Sequence, residues 1–377
     1  IMRNLIFCIS IVFLLSCSNP THNKNSVEIS SHIIDITLDE CVDSFYVRRI
    51  ISDTPLSQIH YLQIVNDRLF LWDNGGIIYY MKGDSIVSKL EAIGRGHGEY
   101  QYISAFAFSE PDSALFVHSG SNSKILKYSV PSFDFVSSIN CELGIRAMRV
   151  YDGKIIAFCS TPGVNSSRHN GLYEINPETG DNNLLLPMNQ ISSNYIDNTS
   201  FFYHNEELCF LVPDYDNTIY KYSEGLLTKT DEFHYGKLNL DREFFAVDET
   251  DAYNYSQLLM KLLETEHCLG GYLTIMQDEA DYMFWRALGT QDRQILLTKV
   301  SGKDSRSYNI LMPGMNALAF PNNVNDGWNI KVCEGPVVSL TEDESKLTRI
   351  GREITDSLRQ QSYDNPVLLY YKLKETL

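Results

Sequence analysis

The sequence predicts an all-β fold, a six-bladed β-propeller with two helical insertions. Three observations lead there. Short runs rich in Tyr, Phe, Ile, Leu and Val alternate with turns of Asn, Asp, Gly, Ser and Pro, the texture of antiparallel sheet. The 23 Tyr and 18 Phe among 377 residues supply its aromatic share. These runs fall into groups of four, each spanning about 40 residues, the period of a blade whose faces are buried by its neighbours. The unit also recurs along most of the chain, whereas a sandwich normally closes within about 100 to 250 residues.

The first group is Ile59 to Val65, Arg68 to Trp72, Ile77 to Met81 and Ser85 to Leu90, with turns at Asn66-Asp67, Asp73 to Gly76 and Lys82 to Asp84. The second is Ile103 to Ser109, Ala114 to Ser119, Lys124 to Ser129 and Phe135 to Ile139, and its turns fall where those of the first do. A looser third group runs Ile145 to Val150, Lys154 to Ser160, Gly171 to Asn176 and Asn183 to Pro187, with Asp152-Gly153 as a hairpin turn. Thr199 to His204, Glu207 to Pro213, Thr218 to Ser223 and Leu227 to Phe233 make the fourth.

The period then changes. Between residues 250 and 267, Ala252, Tyr255, Leu258, Leu259, Leu262 and Leu263 recur at helical spacing behind a Thr250 or Asp251 cap. This helix either covers a blade edge or forms a lid. A fifth group follows: Tyr272 to Met276, Tyr282 to Leu288, Gln294 to Val300 and Ser307 to Leu311. A second helix is expected over 341–361, opened by Thr341-Glu342-Asp343-Glu344 in capping-box form and striped by Leu347, Ile350, Ile354 and Leu358. A circular array must join its last blade to its first, because open sheet edges invite aggregation. Pro366 to Leu373 and Ile33 to Leu38 are expected to share in that closure, with Ala317 to Phe320, Trp328 to Cys333 and Val337 to Leu340 completing blade six.

Ahead of the repeats, Leu5 to Leu15 is apolar apart from Ser10 and follows Arg3-Asn4. The run falls short of the roughly 20 residues that cross a bilayer as a helix, and so reads as a leader. It ends in Leu14-Leu15-Ser16-Cys17, which resembles the lipobox of bacterial lipoproteins. That resemblance implies removal of residues 1–16, acylation of Cys17 and attachment to membrane lipid. An ordinary secretory leader is the alternative. One acyl chain binds a membrane only marginally, and a diacylated cysteine supplies the second. Residues 17–26, polar and with Pro20, read as a flexible tether, leaving 27–377 as a single propeller domain. Surface lipoproteins of Bacteroidetes often carry an acidic run after the cysteine. Its absence here favours the periplasmic face of the outer membrane.

The formal charge of −17 and a longest basic cluster of only Arg48-Arg49 argue against nucleic acid as a partner. Besides Cys8 and Cys17 there are Cys41, Cys141, Cys159, Cys209, Cys268 and Cys333, none paired as C-x-x-C. Cys159 and Cys209 sit within apolar runs, where buried free thiols are expected.

Ala92-Ile93-Gly94-Arg95-Gly96-His97-Gly98-Glu99-Tyr100 links the first group to the second. It resembles the G-x-G-x-G-E-[YF] loop of NHL-type propellers, and more closely the six-bladed β-propeller lipoproteins of Bacteroidetes. The likeness continues through Ile103 to Phe108, the strand Lys124 to Tyr128, and the end Asp364-Asn365-Pro366-Val367-Leu368 with Lys372-Leu373-Lys374. His97 stands where that family usually has Pro. The loop reads as structural: Gly94, Gly96 and Gly98 permit a tight crossing between blades, while Glu99 and Tyr100 tie it down. A phosphate-cradling loop would need a helix next, and Ile103 opens a strand.

No catalytic residue is assigned, because H-E-x-x-H, G-x-S-x-G, EF-hand and phosphate-loop patterns are all absent. The nine His are scattered, with His22, His97, His169, His204, His234 and His267 in the tether, loops or strand ends, and each reads as a surface or loop residue. Asp214, Asp216, Asp278, Glu279 and Asp281 form acidic turns, either merely solvated or able to take Ca²⁺, the one cofactor considered. Fold does not choose a function. The favoured reading is a noncatalytic binding or scaffold protein, presenting its channel mouth to a glycan, a peptide or an envelope protein. The alternative is a propeller hydrolase or lactonase with a metal in the central channel.

Overall fold

The computed structural model describes residues 25–30, 32–159, 170–187, 201–204, 207–211, 218–234, 268–269, 274–277, 281–288, 294–301, 304–313, 323–325, 327–334, 343–361, 365–375 and 377. Six sheets stand in a ring as the blades of a β-propeller. The N-terminal stretch gives β1 (Asn25–Glu28), β2 (Ile33–Thr37), the single turn α1 (Leu38–Cys41) and β3 (Val42–Arg49). Blade 1 is β4 (Ile59–Val65), β5 (Arg68–Asp73), β6 (Ile78–Lys82) and β7 (Ser85–Leu90). Blade 2 is β8 (Ile103–Ser109), β9 (Ala114–Ser119), β10 (Lys124–Ser129) and β11 (Phe135–Asn140). Blade 3 is β12 (Ile145–Tyr151), β13 (Lys154–Cys159), β14 (Gly171–Ile175) and β15 (Asn182–Pro187). Blade 4 is β16 (Phe201–His204), β17 (Glu207–Leu211), β18 (Thr218–Ser223) and β19 (Leu226–His234). In blade 5, β20 (Cys268–Leu269) and β21 (Thr274–Gln277) both pair with β22 (Asp281–Leu288), followed by β23 (Gln294–Ser301) and β24 (Asp304–Leu311). Blade 6 contains β25 (Asn323–Asn325), β26 (Trp328–Cys333) and, after helix α2 (Arg349–Gln361), β27 (Val367–Leu373).

Burial explains the sequence texture. The second strands β5, β9 and β13 are almost wholly buried, because neighbouring blades cover both of their faces. The outer strand β7 alternates between exposed and half-buried residues instead. Aromatic rings form the seams between blades: Phe70 lies 4.7 Å from Phe108 across blades 1 and 2, and Phe158 lies 5.0 Å from Phe201 across blades 3 and 4. Such edge and tilted contacts add about 0.5–1.5 kcal/mol each beyond the area they bury.

Closure differs from the expectation. β27 pairs with β26 on one side and antiparallel with β3 on the other, placing Tyr370 opposite Tyr46 and Leu369 opposite Val47. Val42–Arg49 therefore closes the ring, not Ile33 to Leu38. β2 instead lies parallel to β24 as an extra outer strand of blade 5, and β1 lies parallel to β19 on blade 4 in the same way. Both segments are β-prone, and only long-range pairing distinguishes them. The expected tether overlaps β1 at Asn25 and Ser26. Val337 to Leu340 and Ala317 to Phe320 lie outside the described residues, as does the helix expected over 250–267.

α2 begins at Arg349, after one 3-10 turn at Glu344–Lys346, rather than at 341. Its start is capped by Thr348, whose Oγ1 accepts from the Gly351 amide at 3.1 Å, and by Asp39, whose carboxylate accepts from the Ile350 amide at 2.7 Å. Local pattern could not supply the second cap, which comes from α1. Ile350, Ile354 and Leu358 are buried with Tyr308, Ile310, Leu369 and Tyr371, so α2 fills the wedge between blades 5 and 6. Among the described residues, Cys41, Cys141, Cys159, Cys209 and Cys333 are free and buried. Burial pushes the thiols of Cys41, Cys209 and Cys333 up to about 12, which keeps them protonated and unreactive.

Candidate functional site

The long connections between the described strands gather at one end of the ring. Turns from first to second strand and from third to fourth strand are short, as at 66–67, 83–84, 152–153, 224–225 and 302–303. Connections at the opposite end, from second to third strand and from blade to blade, include 50–58, 91–102, 160–170, 188–200, 235–267 and 334–366. Binding groups concentrate on loops positioned by a rigid scaffold. The long-connection end is the candidate mouth.

Connection 91–102 is tied down by its own side chains. The Gly94 amide donates to the Tyr100 carbonyl at 2.9 Å, the Tyr100 amide to the Ala92 carbonyl at 2.9 Å, and the Gly96 amide to the Glu99 carboxylate at 2.6 Å. The Tyr100 hydroxyl donates towards the Gly76 carbonyl at 2.9 Å and the Leu90 carbonyl at 3.1 Å, and burial raises its pKa. The Tyr128 hydroxyl donates to the Gly98 carbonyl at 2.9 Å. A Cβ at Gly94 would overlap the Glu99 carboxylate. At Gly98, where φ is +79°, a Cβ would lie 2.6 Å from the Phe135 ring. Gly98→Ala is therefore expected to cost about 2 kcal/mol, from the left-handed backbone and the displaced ring. A lower urea midpoint at unchanged slope would show it; an unchanged midpoint would show that the loop relaxes freely.

Innermost strands from three blades meet on the axis. Arg149 of β12, 6% exposed, holds its guanidinium carbon 5.7 Å from the centre of the Tyr61 ring on β4 and 5.6 Å from that of Phe201 on β16. It also donates to the Met148 carbonyl at 2.9 Å. The cation thus links the first strands of blades 1, 3 and 4. Nearer the short-turn end, Tyr151 and Tyr203 lie 6.3 Å apart. Tyr203 is 47% exposed, yet desolvation raises its hydroxyl pKa, against the opposing pull of Arg149.

His118 of β9 is 1% exposed, which corrects the expectation that every histidine is a surface or loop residue. Its Nδ1 meets the Ser104 hydroxyl at 2.5 Å, while Nε2 makes no well-formed hydrogen bond. Burial lowers its pKa to about 4, partly offset by the carbonyls of Cys141 and Leu143. The imidazole is neutral at physiological pH.

The family model for a domain of unknown function, DUF4934, matches residues 53–372. This chain belongs to the DUF4934 family. The match begins just ahead of β4 and ends within β27, so it spans the ring. Two solved structures resemble the DUF4934 chain. One is a Bacteroides fragilis protein named for an inferred export, with TM-score 0.69 and 15% identity over 93% of this chain and 99% of that one. The other is a DUF4221-family member from Bacteroides vulgatus, with TM-score 0.51 and 11% identity over 89% of this chain and 98% of that one. At these identities the likeness establishes the fold. Comparison with curated proteins finds no match.

Of the residues singled out in the DUF4934 sequence, Gly94, Gly96, Gly98, Glu99 and Tyr100 come together in the one loop. Cys17, Asp214, Asp216, Asp278 and Glu279 lie outside the described residues, and Asp281 opens β22. Among the described residues, no three His, Cys, Asp or Glu side chains converge to hold a metal ion. Sequence reasoning missed Arg149 and His118. The first had a signal: strand alternation puts Arg149 on one face with buried Ala147 and half-buried Tyr151, a charge where an apolar residue belongs.

Proposed function

We propose that this DUF4934 protein is a lipid-anchored binding protein of the cell envelope. Acylated Cys17 holds it at the periplasmic face of the outer membrane, and the long-connection mouth engages a glycan, peptide or envelope partner without catalysis. The segregation of long connections onto one end of the ring carries this reading. The lipobox-like Leu14-Leu15-Ser16-Cys17 supports the anchor, and the name of the Bacteroides fragilis relative is in keeping with export. Among the described residues no three metal-donor side chains converge, so no observation there supports the hydrolase alternative with its channel metal.

The test has two arms. Cys17→Ser in the full chain is expected to abolish acyl labelling and move the protein from the membrane to the soluble fraction, leaving its unfolding midpoint unchanged. Retention in the membrane fraction would refute the anchor. Pull-down from detergent-solubilised envelope, alongside a glycan array, is expected to recover one ligand class with wild type and Cys17→Ser alike. Turnover of a lactone or ester with no ligand retained would refute noncatalytic binding.

A further inference from the structure

Given the Cys17 anchor proposed above, the direction of β1 bears on which end of the ring faces the bilayer. β1 is parallel to β19, with Asn25 opposite Asp231 and Glu28 opposite His234. β19 begins at the hairpin tip Glu224-Gly225-Leu226, so the N-terminal end of β1 points along blade 4 towards that tip. The tip belongs to the short-turn end of the ring. From Asp231 back to Leu226 is about 17 Å of strand. Residues 18–24 join Cys17 to Asn25, and fully extended they reach at most about 28 Å. The distance of about 17 Å to the tip is less than the tether's full reach, so a bilayer holding acylated Cys17 can meet the tip on the side towards which the chain leaves.

The tip also has the chemistry for the contact. Leu226 is 71% exposed, the most open large apolar side chain among the described residues. Alone it would be an unremarked surface leucine. Held beside a bilayer by a covalent tether, it gains from entering the acyl boundary region without the cost of free association.

We propose that the anchored propeller rests with the blade 4 hairpin at Leu226 against the lipid surface, so that its short-turn end faces the membrane and its long-connection mouth faces away. The mouth is then open to soluble or peptidoglycan-side ligands rather than to lipid-embedded ones. Tyr102, 59% exposed in connection 91–102, marks the opposite end.

The test uses the full acylated chain in vesicles of phosphatidylethanolamine and phosphatidylglycerol containing nitroxide-labelled lipid. Leu226→Cys and Tyr102→Cys carry the same fluorophore; Cys41, Cys141, Cys159, Cys209 and Cys333 are buried, and both labelled proteins also carry Cys268→Ser. The label at 226 is expected to lose at least about twice as much fluorescence as the label at 102. Equal quenching, or stronger quenching at 102, in protein that co-floats with vesicles would overturn the orientation while leaving the anchor intact. Protein without an acyl chain by mass, and absent from the vesicle fraction, would overturn the anchor and the orientation with it. Leu226→Ser without a label is expected to leave the unfolding midpoint unchanged, separating membrane contact from folding.

Discussion

Arg149→Ala is expected to lower the unfolding free energy by about 3 kcal/mol, and Arg149→Lys by about half of that. Two ring contacts from two further blades act on one guanidinium, each worth roughly 0.5–2 kcal/mol when desolvated. Alanine removes both and leaves a void between β4, β12 and β16. Lysine keeps the charge but loses the planar face that stacks on Tyr61 and Phe201. Relief of a buried cation's desolvation works in the other direction. The packing and ring terms should prevail, because the side chain joins rings from two further blades. Urea unfolding at fixed pH measures the difference. Equal midpoints for wild type and Arg149→Ala would mean the blades hold together without this link.

Acid should weaken the fold through His118 well before most carboxylates are protonated. Its pKa lies at about 4 in the folded chain against 6.5 in the unfolded one, because a buried imidazolium is poorly solvated. Above pH 6.5 both states hold a neutral ring and the group contributes nothing to pH dependence. Between pH 6.5 and 4 the unfolded chain takes up a proton that the folded chain refuses. Stability then falls by about 1.4 kcal/mol for each pH unit, reaching about 3 kcal/mol near pH 4, where the loss levels off. His118→Gln retains a partner for Ser104 but does not titrate. The difference in stability between wild type and His118→Gln is expected to move in favour of the variant by about that amount from pH 7.5 to 4. Parallel pH profiles for the two proteins would show that His118 is protonated equally in both states.

The blades were legible in the sequence because each is a local object. A strand such as Leu69 to Trp72 must be apolar on both faces when neighbours cover both, and the hairpins Asn66-Asp67 and Asp152-Gly153 are set by their own residues. What joins the ring was not legible. Val42–Arg49 and Ile33–Thr37 are equally β-prone, and their partners lie far along the chain, so the closing strand was assigned to the wrong one of two neighbours. The start of α2 was misplaced for the same reason, its cap at Asp39 being brought from another element. The candidate site divides likewise. The tie between Glu99 and the Gly96 amide spans three residues and follows from the loop's own pattern. The meeting of Arg149 with Tyr61 and Phe201 gathers three blades and exists only once the ring has formed.

The pairing of Tyr46 with Tyr370 has a kinetic consequence. Contacts between residues so distant in sequence incur a large loop-closure entropy before they return any stabilisation, which slows the folding of β-rich chains. On the ribosome, β3 emerges among the first elements and can find its partner only when β27 follows almost everything else. Until then the strand edge of β3 and the apolar stripe destined for α2 are both uncovered. The interval between those two moments is when this protein is most exposed to misassociation.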